Sequence, residues 1–110
     1  MNQNEVISMI GDRIVELDEL RGSVPPDDPQ RKQLDDFRKA LDDYQRRLAQ
    51  KQFDENTEGY REATQKLATA NAQLVVTIAD ITKLEDTISN LNRFLGAIDT
   101  VAEAAVGAFA

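Results

Sequence analysis

The amino-acid sequence predicts an all-α fold: a long antiparallel, coiled-coil-like helical hairpin with a Pro-broken first arm, three helices in total. Three observations predict it. Apolar residues recur at alternating spacings of three and four along most of the chain. Ser23-Val24-Pro25-Pro26 is a firm break, because two prolines cannot continue a helix. Folding the chain near Asp54 sets apolar stripes opposite one another on both sides of that break. A single all-helical domain over residues 1–110 is expected, with helices at about 4–21, 29–52 and 57–107.

The first element rests on Ile7, Ile10, Ile14 and Leu17, one helical stripe that Val6 and Leu20 widen. Gly22 after Arg21 suits a helix C′ position, where glycine adopts left-handed backbone easily. The second element has its own start signal, Asp28 as N-cap and Pro29 at the first helical position. Leu34, Phe37, Leu41, Tyr44 and Leu48 form its stripe. Its outer faces alternate acid and base, with Asp35 to Lys39 and Asp42 to Arg46 as i,i+4 pairs worth about 0.2–0.5 kcal/mol each. A solvated, salt-laced face is the reading of those carboxylates.

From the turn at Phe53 to Gly59 a third helix is expected to run unbroken. Its stripe is Tyr60, Ala63, Leu67, Ala70, Leu74, Thr77, Ile81, Leu84, Ile88, Leu91, Leu95, Ile98, Ala102, Ala105 and Phe109. At 1.5 Å per residue that helix would extend about 75 Å. In the hairpin, Leu48 meets Tyr60, Leu41 meets Leu67, Leu34 meets Leu74, Leu17 meets Leu91 and Ile10 meets Ile98. The alternative is a three-helix bundle with the first helix folded back on the second. Val75, Ile78, Phe94, Val101 and Val106 lie beside the seam, and a stripe that wide calls for more than one neighbour. Self-association is therefore expected, most simply a homodimer forming a four-helix bundle.

Composition bounds the function. The net charge of −7 and pI of about 4.5, with basic pairs always interrupted by acid pairs, argue against nucleic acid and anionic membranes. There is no Cys and no His, so thiolate ligation, His-based triads and Glu-x-x-His di-iron sites cannot be built. No phosphate-binding or dinucleotide glycine motif is present. The expectation is no enzyme and no cofactor. Asp54, Asn56, Glu58, Gly59 and Glu62 match part of a calcium loop, but Gln65 stands where a bidentate carboxylate is required. A polar hairpin tip capping the next helix accounts for the same residues.

The segment Phe94 to Ala110 carries only Asp99 and Glu103 as charges, and Gly96, Thr100, Ala104 and Ala108 form a line of small side chains. A core segment or subunit interface is the expectation, with Phe94, Leu95, Ile98, Val101, Ala105 and Phe109 as interaction candidates. The function expected is a non-enzymatic structural or interaction protein that self-associates or docks on a protein partner. The alternatives are a secreted or membrane-active helical hairpin and a small chaperone or immunity-type binding protein. Met1 to Glu5 shows no secretory signal, and no window is a transmembrane span, so a cytoplasmic location is expected, with membrane contact as the lesser possibility. In shape and composition the chain resembles short acidic helical-hairpin proteins of bacterial secretion systems, without the Trp-x-Gly turn of one such class, and that likeness implies no function.

Overall fold

A computed structural model describes residues 1–107, with side chains through Ala105. The chain forms four helices: α1 (Gln3–Gly22), α2 (Pro29–Ala49), α3 (Glu58–Ile78) and α4 (Leu84–Gly107), the last preceded by a short 3-10 turn, Ile81–Lys83. Among the described residues there is no strand. The bundle is 44 Å long and 23 by 18 Å across.

The ends of the helices follow local chemistry. Asn2 caps α1 by accepting from the Glu5 amide, and the Glu5 carboxylate accepts from the Asn2 amide in return, a reciprocal capping box. Asp28 caps α2 and Pro29 opens it, as the sequence leads one to expect. Thr57 caps α3, and Asp54 accepts from the Asn56 amide beside it, so the calcium-loop residues serve as a helix-capping tip. Gly22 is not a left-handed C′ residue. The helix includes it, and Ser23 closes the end with right-handed backbone.

The expected third helix is two helices, and this is the main correction. The chain turns at Ala79–Asp80: Asp80 has extended backbone, and its carboxylate accepts from both the amide and the hydroxyl of Thr82, at 3.0 and 2.6 Å. Those bonds hold the Asp80 carboxyl below the usual carboxylate range. Val75, Val76, Thr77, Ile78, Ile81 and Thr82 are β-branched residues of modest helix propensity, which weakens the helix on both sides of a strong N-cap. Ile81 accordingly falls outside the core and is exposed, although the heptad pattern counts it in.

Helix α1 packs against α2 and α3, and α4 packs against α3 and α2. The diagonals of the square are therefore α1–α4 and α2–α3, and the segment 50–57 crosses the end of the bundle. The expected pairs Leu41–Leu67 and Ile10–Ile98 thus join helices that face each other across the core rather than neighbours along an edge. All four of these residues are fully buried. The core-side positions of α2 recur in α4 at a constant sequence offset: Leu34 with Leu91, half-buried Phe37 with Phe94, Leu41 with Ile98, Leu48 with Ala105. Each fully buried Leu or Ile contributes about 1.5–3 kcal/mol relative to exposure. The four-helix core expected from two copies is closed by one chain, and Ile78, Phe94 and Val101 find their extra neighbours inside it.

The crossing end is tied down by α1. The Gln3 side-chain amide donates to the carbonyls of Leu48 and Lys51, bridging the last turn of α2 and the segment that follows it. The Tyr60 hydroxyl donates to the Met1 carbonyl, and its ring meets Phe53 edge to face at 5.7 Å. Burial, with the charges of Glu55 and Glu5 nearby, pushes the Tyr60 hydroxyl up to about 12.

Candidate functional site

Core-facing Ala63, Leu67, Ala70, Leu74 and Thr77 orient α3. By helical periodicity Ala68, Ala72, Val75 and Ala79 then fall along its flank toward α1, and Val76 points outward beside them. All five are exposed, Val75 by 44% and Val76 by 69%. From Leu67 to Ala79 the chain has no charged residue. The result is an uncharged, largely apolar helix face two to three turns long, at heptad spacing and without a partner among the described residues.

The neighbouring edge of α1 is acidic. Arg13 is buried at the α1–α3 contact, donating to Asn71 at 3.0 Å and to Glu16 at 2.9 Å, and this fixes the level of the two helices. Asp12, Glu16 and Glu19 recur at spacings of four and three, so by helical periodicity they form one acidic row on α1, of which Glu16 and Glu19 border Ile78 and Ala79 of α3. Among the described residues, Asp12 and Glu19 form no ion pair, and Glu16 is held by Arg13 through one oxygen only. Its other oxygen, Oε2, and the Arg13 Nε are both shut off from solvent and without a hydrogen-bond partner among the described residues. Glu16 and Glu19 also line a cleft of about 250 Å3 with Leu20, Ile78, Ala79 and Ile81, where the carboxylates border apolar side chains.

Two other clefts differ in character. The α3–α4 groove, about 630 Å3, is lined by small and mixed polar side chains, among them Ala70, Gly96, Ala97, Lys66 and Arg93. The α2–α4 cleft, about 410 Å3, contains Tyr44, whose hydroxyl donates to Asp99 at 2.7 Å and is pushed above its ordinary pKa chiefly by that bond. The Arg47 guanidinium lies over the Tyr44 ring at 4.5 Å. Neither cleft combines a continuous apolar face with a single sign of charge.

The structure disperses the interaction candidates named from sequence. Phe94, Ile98, Val101 and Ala105 are fully buried in the bundle's own core. Leu95 is half-buried beside Phe37 and Ala40 in a shallow α2–α4 depression. Phe109 lies outside the described residues. Gly96 and Thr100 of the small-residue line are exposed on the α3–α4 groove, while Ala104 packs against the core. Sequence reasoning named Val75 beside the seam but passed over Asp12, Glu16, Glu19 and the rest of the outer row of α3. The available signal was the absence of charge from Leu67 to Ala79, which leaves Ala68, Ala72 and Val76 apolar yet outside the seam.

Among the described residues, no group of three or more acidic side chains is placed to hold a metal ion, and no helix is long and apolar enough to cross a membrane. No family model, curated protein or solved structure matches this chain.

Proposed function

We propose that this chain is a non-enzymatic helical binding module that docks a helix of a protein partner, or of a second copy, on the exposed face of α3. One observation carries the reading: Val75 and Val76 stand exposed in the middle of an uncharged face, continuous with Ala68, Ala72 and Ala79. Scattered exposed valines are ordinary, but a contiguous apolar row at heptad spacing is the pattern of a helix that packs against another. A cytoplasmic location goes with this reading.

The test is site-specific photo-cross-linking in the cell of origin. A photoreactive phenylalanine replaces Val76, and a control carries it at Arg46, an exposed position of α2. The expected result is a discrete protein adduct from position 76 and none from position 46. Absence of an adduct from position 76, or equal adducts from both, overturns the reading. An adduct at the mass of two copies identifies self-association as the mode of docking.

A further inference from the structure

Resting on that reading, we infer that the occupant of the α1–α3 face is a basic amphipathic helix of another protein. Its apolar stripe lies on Ala68, Ala72, Val75 and Ala79, and its Lys or Arg side chains meet Asp12, Glu16 and Glu19. The argument is charge complementarity on an unpartnered face. The apolar row belongs to α3 and the acidic row to α1, and Arg13 bonding to Asn71 holds them at one level. The two rows present the two chemistries a basic amphipathic helix displays side by side.

Among the described residues, Asp12 and Glu19 on this edge have no ion-pair partner. Around α2, Asp35 is held by Arg21 and Arg31, and Asp42 by Arg38 and Arg46. Beside Glu16 the base is Arg13, which is buried and engaged with a single oxygen of that carboxylate. The cleft lined by Glu16, Glu19, Ile78, Ala79 and Ile81 has the composition to take the apolar stem of a Lys or Arg with its charged end beside the carboxylates. A second copy fits less well, because the face is acidic on a chain of net charge −7, and antiparallel stacking of two such faces sets acid rows against each other.

The experiment titrates the isotope-labelled full chain with a helical heptad peptide of Leu and Lys, about five turns long, and with its counterpart carrying Glu for every Lys. Amide resonances report the site. The expected outcome is that the Lys peptide shifts Ala68, Ala72, Val75, Val76, Ala79, Asp12 and Glu19. Its affinity should exceed that of the Glu peptide by at least about tenfold at low salt, and the preference should shrink as ionic strength rises. Val76→Asp weakens binding of the Lys peptide. The double change Asp12→Lys and Glu19→Lys removes or reverses the preference. Both variants alter exposed side chains, and an unchanged thermal unfolding curve shows that they fold. Equal binding of the two peptides, shifts concentrated on the Asp35 and Asp42 edge, or α3 shifts that depend on protein concentration without peptide would each overturn the inference, the last in favour of a second copy. An adduct from position 76 to an acidic helix would likewise overturn it while leaving the docking function intact.

Discussion

Helices α1 and α2 carry every ion pair found among the described residues, whereas α3 and α4 carry none. On the first hairpin the charges form a continuous run: Arg31 to Asp35, Asp35 to Arg21, Arg21 to Asp18, Asp18 to Arg38, Arg38 to Asp42, Asp42 to Arg46 and Arg46 to Asp43. It crosses from one helix to the other twice, through Arg21–Asp35 at 2.8 Å and Arg38–Asp18 at 3.0 Å. The second hairpin relies on closer packing of small and apolar side chains, with Asn90 donating to Thr77 and to the Gln73 carbonyl as its internal polar tie. The difference teaches a division of labour. The first hairpin ties its helices together by charge on the surface, and the second ties its helices together by packing and one internal amide.

The largest expected effect tests whether equivalent positions in the two hairpins are equally important. Phe94 is fully buried while Phe37, its counterpart in α2, is half-buried. Phe94→Ala should cost about 3–5 kcal/mol and Phe37→Ala clearly less, about 1–2 kcal/mol, by urea unfolding. Equal losses would erase the distinction between a core-reliant and a surface-reliant hairpin.

An intermediate effect separates the hairpins by acid and salt. Hydrogen bonding from the Arg21 guanidinium, reinforced by Arg31, holds the Asp35 carboxyl below its ordinary value of 3.8. A depressed folded-state pKa adds stability that is complete above the unfolded value and lost as the pH falls through the folded one. Acidification from about pH 5 to pH 3 should therefore lower amide protection in α1 and α2 more than in α3 and α4, by roughly a few-fold. High salt at neutral pH should do the same more weakly, because exposed pairs are screened. Asp35→Asn should flatten the acid response of α1 and α2. A uniform change across all four helices would mean that the run of ion pairs does not set local stability.

The smallest effect concerns two glycines. A Cβ at Gly96 meets nothing, so Gly96→Ala should stabilise by about 0.5–1 kcal/mol. A Cβ at Gly11 would lie 2.9 Å from the Gln45 side-chain nitrogen, which donates to the Ile7 carbonyl. Gly11→Ala should gain less or lose, because that bond has to give. Thermal unfolding of the two variants side by side reads the difference.

Much of the bundle is legible in the sequence for simple reasons. Asp28-Pro29 and the Pro25-Pro26 stop are local signals that no tertiary contact had to override. The Leu34, Phe37, Leu41, Tyr44 and Leu48 stripe names the inner face of α2, with the two aromatics at its half-buried margin. The break at Asp80 is not legible from hydropathy, because an N-cap aspartate inside a run without Gly or Pro looks like one more polar heptad position. Only its place among β-branched residues hints at a boundary. Ion-pair partners are equally hidden: Asp42 does pair with Arg46, but Asp35 turns to Arg21 on the facing helix instead of to Lys39 on its own. Spacing along one helix cannot report a neighbour that arrives from another. The candidate site was the least legible part, since its two rows lie on helices far apart in sequence.

The turn at Asp80 also bears on how copies of this chain relate to one another. With that turn straightened, α3 and α4 become a single rod, and α4 leaves the other three helices with one corner of their square unfilled. The α4 of a second molecule fits that corner by construction, since it is the same sequence. A turn of a few residues held by one carboxylate would then be all that separates a self-contained bundle from an exchanged dimer with an identical core.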